Sequence, residues 1–168
     1  NHYFNNNLDL TNQILKKFNN KDEIYNWYKI KKIGKIIAER QNDEASLKYI
    51  EKKFKSLKNP SVKMIYDLAN IYKSFDKYEI AIKYYSIVLE KIKNNPTAYA
   101  KVLYRRGSCF ERIKDYERSD KDLLLSLEIR PEDPYTMNYL AYGWLERSYK
   151  IDEAIKMLQR AYKQKKSD

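Results

Sequence analysis

Apolar residues recur at three- and four-residue spacing along almost the whole chain, and strand-like alternation is rare. That period is the signature of amphipathic helices. Breakers interrupt it at regular points, at Asn59-Pro60, Asn95-Pro96 and Arg130-Pro131. Pro60, Pro96 and Pro134 suit helix starts, where the missing N–H costs nothing. Asp22, Asp43 and Asp152 suit N-cap or first-turn positions, where a carboxylate meets free N–H groups and the positive end of the helix dipole. The pattern predicts about nine helices, near 9–19, 23–40, 43–57, 61–75, 77–93, 97–113, 116–129, 134–148 and 151–165. The connections are short, so consecutive helices are expected to pack antiparallel.

A second pattern overlies the first. Small residues stand at Gly34, Ala69, Gly107 and Ala141, and three positions after each comes a large one: Ile37, Tyr72, Phe110 and Trp144. Ile33, Leu68 and Leu140 precede three of the four small residues, and Arg106 is the exception. Farther on come Ser46, Ala81, Ser119 and Ala154, each followed after four positions by Ile50, Tyr85, Leu123 or Leu158. The physical sense is packing. A small side chain lets two helix backbones approach, the large residue fills the space beside that contact, and the second small residue receives the next helix. One such pair cannot bury its apolar faces alone, so stacking builds the core.

From about Trp27 onward the chain resembles tetratricopeptide-repeat proteins, whose helix–turn–helix units are about 34 residues long. The segments "LANIYKSFDKYEIAIKYYSIVL" and "RRGSCFERIKDYERSDKDLLLSLEIRP" carry the likeness most strongly, and "NYLAYGWLERSYKIDEAI" fits with one extra residue before Asp152. This last stretch is similar to ones found in bacterial multi-repeat members, many of them exported or membrane-attached. The resemblance implies an all-α, right-handed superhelical solenoid of antiparallel helix pairs. It implies one domain over 1–168, with a half-repeat helix in 1–20 and four repeats at 27–60, 62–95, 100–133 and 134–168. The first repeat is degenerate, with Lys53 where a small residue is expected. Leu8, Leu10, Ile14, Leu15 and Phe18 look like the second helix of a repeat whose first helix is missing, so the chain is expected to be a fragment of a longer array.

Charge and chemistry narrow the function. The balance of 34 Lys+Arg against 23 Asp+Glu gives a net charge of +11. That favours acidic partners, although Lys, Asn, Ile and Tyr are all abundant here, as coding from an AT-rich genome would give. Cys109 is the only cysteine and His2 the only histidine, so no His/Cys metal cluster and no Ser–His or Cys–His pair can be assembled. No glycine-rich phosphate loop appears. No apolar run approaches the roughly 18 residues of a membrane span. Neither catalysis, a cofactor nor a metal is expected. Compartment stays open between bacterial cytoplasm and an exported or membrane-attached location.

Family resemblance implies that partners lie in the groove lined by the first helix of each repeat. Its groove-facing positions are Tyr28, Lys31, Lys35 and Ala38, then Lys63, Tyr66, Asn70 and Lys73, then Lys101, Tyr104, Ser108 and Glu111, and last Tyr135, Asn138, Tyr142 and Leu145. Five are Lys and five Tyr, well above the share that 17 Tyr in 168 residues would give. Tyrosine rings with ammonium groups suit an extended acidic or carboxylate-bearing peptide. Chaperone-binding members grip a C-terminal carboxylate with five Lys, Asn and Arg residues. Here Lys31, Lys101 and Arg105 match, while Lys35 and Asp67 stand where asparagines are expected.

The leading expectation is a non-catalytic protein–protein interaction scaffold. The alternative is an RNA-binding repeat protein using the same basic, tyrosine-rich groove. Self-association through the last helix, with its Ile151, Ile155, Leu158 and Tyr162, is also expected.

Overall fold

The computed structural model describes residues 23–166, all of whose regular structure is helical. The helix expected at 9–19 and the N-cap expected at Asp22 lie outside the described residues. Eight helices follow in order: α1 (Glu23–Arg40), α2 (Asp43–Lys55), α3 (Val62–Ser74), α4 (Tyr78–Lys91), α5 (Pro96–Arg112), α6 (Tyr116–Ile129), α7 (Pro134–Glu146) and α8 (Ile151–Lys166). Pro96 and Pro134 open α5 and α7 as expected, whereas Pro60 stands two residues ahead of α3.

The helices form two compact units that divide at Ser61 and Val62. The first holds the α1–α2 hairpin. Gly34 sits where its helices cross, and a Cβ built there would lie 2.5 Å from Cδ1 of Ile50. The Ser46 hydroxyl donates to the Gly34 carbonyl at 2.7 Å, so this close approach is also hydrogen-bonded. Trp27 meets Phe54 edge-on at 5.4 Å. Asn42, with extended backbone, caps α2 by accepting from the Ala45 N–H at 2.8 Å.

The second unit stacks three hairpins, α3–α4, α5–α6 and α7–α8. Ala69, Ala81, Ala141 and Ala154 are wholly buried at the crossings, and Gly107 and Ser119 are buried with them. A Cβ on Gly107 would meet Cγ of Leu123 at 3.0 Å. Tyr72, Phe110 and Trp144, the large residues three positions on, are core side chains. Tyr85 is also fully buried, and its hydroxyl is satisfied by donating to Oδ1 of Asn70 at 2.7 Å.

The turns inside these three hairpins repeat as well. Asp76, Lys114 and Ser148 all take positive φ, at 57°, 63° and 52°. The N–H one residue later reaches back to the carbonyl of the buried aromatic: Lys77 to Tyr72, Asp115 to Phe110 and Tyr149 to Trp144, at 2.8–2.9 Å. The N–H groups of Asp76, Lys114 and Ser148 bond the next carbonyl along, at 2.9–3.1 Å. This pair of bonds is the Schellman motif, which satisfies carbonyls that a helix end leaves orphaned.

Arg106, the misfit in the sequence pattern, has a partner sixteen residues on. Its guanidinium makes two bonds to the buried Asp122 carboxylate, at 2.7 and 2.8 Å, and a third to the Ser86 hydroxyl at 2.9 Å. One side chain thereby ties α4, α5 and α6 together.

Candidate functional site

In the first unit, Tyr28 is 48% exposed, with Lys32 above its ring at 5.4 Å. Lys31 lies 5.8 Å from the Trp27 ring centre and Lys35 pairs with Glu39 at 3.9 Å.

The second unit brings Lys63, Tyr66, Lys101, Tyr104 and Tyr135 together around two adjoining pockets. One, of about 230 Å³, lies among α3, α4 and α5. Its walls are apolar, from Val62, Val88, Ile92, Ala98 and Val102, with the Tyr66 ring and Lys63 and Lys101 completing the lining. The other, of about 350 Å³, is shared by α5, α6 and α7 and is lined by Tyr66, Lys101, Tyr104, Arg105, Arg130, Asp133, Tyr135 and Thr136. Tyr66 and Lys101 belong to both.

Local chemistry explains how these side chains are held. Asp133 caps α7, accepting from the N–H and hydroxyl of Thr136 at 2.9 and 2.6 Å, and Arg130 pairs with the same carboxylate at 3.0 Å. Tyr104 packs edge-on against Tyr139 at 5.7 Å, and burial raises the pKa of its hydroxyl. Lys63 is paired with Asp67 one helical turn on. Lys101 and Arg105 are exposed, and among the described residues no carboxylate pairs with either. The larger pocket therefore carries three cations against one carboxylate already engaged.

Other expected groove residues are used differently. Asn70 spends its carbonyl oxygen on Tyr85. Lys73 is half-buried and donates to the Ser108 hydroxyl at 2.5 Å, and desolvation lowers its pKa. Ser108 itself is 1% exposed, so its side chain offers a ligand almost no surface. Asn138 is half-buried, and Tyr142 is well exposed but lines neither pocket. Cys109 is buried and its thiol is pushed up to about 11 by desolvation, which makes it inert.

Sequence reasoning missed Arg130, Asp133 and the apolar walls, because it counted only first-helix positions. The signal was present in "EIRPEDP", a charged turn set against two helix ends. No cluster of three or more metal-ligating side chains occurs among the described residues, and no described helix is long and apolar enough to cross a membrane. On α8, Ile151, Ile155 and Tyr162 are 47%, 44% and 62% exposed.

Comparison with known proteins agrees with the crossings and turns. The tetratricopeptide-repeat family model matches residues 62–90 and 100–133. The chain carries tetratricopeptide repeats. Among solved structures, a crystal structure of MamA is similar with a TM-score of 0.64 at 18% identity, over 94% of this chain and 85% of that one. The MamA RS-1 ArsTM double mutant reaches 0.70 at 14% identity, over 92% and 83%. MamA 41-end from Desulfovibrio magneticus RS-1 reaches 0.61 at 18%, over 80% and 73%. At these identities the likeness shows the fold alone, the all-helical solenoid of tetratricopeptide repeats. No curated protein sequence matches the chain.

Proposed function

We propose that this tetratricopeptide-repeat protein is a non-catalytic scaffold that holds an extended, acidic or carboxylate-bearing segment of a partner protein. The segment lies along the first-helix face of the second unit. The observation that carries the reading is the convergence of Lys63, Tyr66, Lys101, Tyr104 and Tyr135, all chosen as groove residues from the sequence, on two adjoining pockets. Rigid tyrosines offer contact area at small entropic loss, and they are enriched among residues that dominate binding. Exposed Lys101 and Arg105 speed association with an anionic chain and make it salt-sensitive, since such charges are screened beyond roughly 8 Å at physiological salt.

Selection from a display library of random peptides against the whole protein tests this. Acidic peptides should be enriched, and a Lys101→Glu/Arg105→Glu variant should lose them while keeping its helical circular dichroism. Enrichment of neutral or basic peptides, or equal retention by the variant, would count against the groove. So would tighter binding of a single-stranded RNA oligonucleotide to the same residues at physiological salt.

A further inference from the structure

The two pockets differ in kind, and that difference specifies a ligand pattern. The α3–α4–α5 pocket is walled by aliphatic side chains, Val62, Val88, Ile92 and Val102, with lysines completing its lining. Its volume of about 230 Å³ suits one branched aliphatic side chain with room to spare. The α5–α6–α7 pocket presents Lys101, Arg105 and Arg130 beside Tyr104 and Tyr135. Its one carboxylate, Asp133, is held by Thr136 and Arg130. With Arg130 engaged by Asp133, Lys101 and Arg105 are left to receive an anionic side chain.

Packed helices stand about 8–10 Å apart, and an extended chain advances about 3.3–3.6 Å per residue. A step of that length is spanned by about two to three residues of extended chain.

We infer that the segment bound in this groove carries an aliphatic side chain and a carboxylate side chain separated by two residues. The aliphatic group fills the α3–α4–α5 pocket, and the carboxylate lies among Lys101, Arg105 and Arg130. This inference rests on the groove reading above and adds the register to it. Tyr66 and Lys101, common to both pockets, span the join.

Fluorescence anisotropy with labelled synthetic peptides tests it on the whole chain. The series places one Leu and one Glu in a Ser/Thr background, in both chain directions, at separations from one to six. The three-residue separation should bind at least tenfold more tightly than the others in one direction. Replacing Glu by Gln or Leu by Ser should each remove most of that advantage. Arg105→Ala/Arg130→Ala should abolish discrimination of Glu from Gln but retain that of Leu from Ser, and Ala98→Phe, which fills the aliphatic pocket, should do the reverse. Peptides that bind independently of separation, yet are lost with Lys101→Glu/Arg105→Glu, overturn the register and leave the groove standing. Peptides unaffected by any of these variants overturn both. Tighter binding by phosphoserine than by Glu overturns the carboxylate assignment.

Discussion

The α3–α4 and α5–α6 hairpins follow the same register and solve one packing problem in two ways. In α3–α4, Leu68 precedes the small residue at the crossing, and Tyr84, from α4, stacks flat on Tyr72, with ring centres 5.4 Å apart and planes 9° from parallel. In α5–α6 the equivalent positions hold Arg106 and Asp122, and Phe110 replaces Tyr72. Asp122 offers no ring to stack. Instead the Arg106 guanidinium pairs with it and also lies 5.7 Å from the Phe110 centroid, while Arg118 covers the same ring at 4.5 Å. A ring stack has become a cation–π and ion-pair arrangement on an unchanged helix crossing. The crossing depends on the small residues, and the layer beside it is free to change character provided both members change together.

Breaking one member of the charged pair should have the largest effect. Arg106→Leu alone leaves Asp122, only 5% exposed, without its cation, and should cost about 3 kcal/mol, the lower end for a buried pair because the arginine keeps some solvent contact. Arg106→Leu/Asp122→Met copies the residues at the equivalent positions of α7 and α8, Leu140 and Met157, and should return to within about 1 kcal/mol of the parent. Denaturant midpoints of the three proteins decide it. A double variant as unstable as the single one would mean that the α5–α6 hairpin needs charge there for some other reason.

The shared crossing can be broken in turn. Ala141 is wholly buried at the corresponding point of α7, and Ala141→Leu should destabilise by about 1–3 kcal/mol through overpacking. An unchanged melting temperature would show that the small-residue register does not mark the crossings.

Those crossings were legible because close backbone approach admits few residue types, so Gly34, Ala69, Gly107 and Ala141 stand out in any reading of the chain. The Arg106–Asp122 pair was not, because each residue alone resembles a surface charge and only the fold brings them together across sixteen positions. Lys63, Tyr66, Lys101, Tyr104 and Tyr135, positions that the family resemblance implies as groove-facing, line the two pockets. Ser108 occupies an equivalent groove position yet is buried, since periodicity gives a direction but not what lies above it. The Tyr139 ring belongs to another hairpin, and its hydroxyl reaches the Ser108 carbonyl at 3.4 Å.

Ser119 and Ala81 sharpen the comparison further. They are equivalent, both buried, and the Ser119 hydroxyl finds no hydrogen-bond partner among the described residues. Ser119→Ala should therefore stabilise the protein by about 1 kcal/mol, the lower figure for an unsatisfied buried hydroxyl. A loss of stability in thermal melts would reveal a partner for that hydroxyl.

The smallest expected effect lies in the two turns. Asp76 and Lys114 both sit in the left-handed region, at φ of 57° and 63°. Lysine bears the ordinary clash of its Cβ with the following carbonyl, roughly 1–2 kcal/mol, whereas aspartate is among the residues that tolerate this conformation. Asp76 also accepts a hydrogen bond from the Tyr78 hydroxyl across the turn. Glycine removes the clash but loses about 0.5–1 kcal/mol to the greater freedom of the unfolded chain. The balance should favour Lys114→Gly by a few tenths to about 1 kcal/mol, a rise in melting temperature of at most about 4 °C for a chain of this size. For Asp76→Gly the relief is smaller and a hydrogen bond is lost, so its melting temperature should hold or fall. Equal gains from the two glycines would mean that the side chain at the turn is irrelevant, and that the α3–α4 and α5–α6 hairpins differ only beside their crossing.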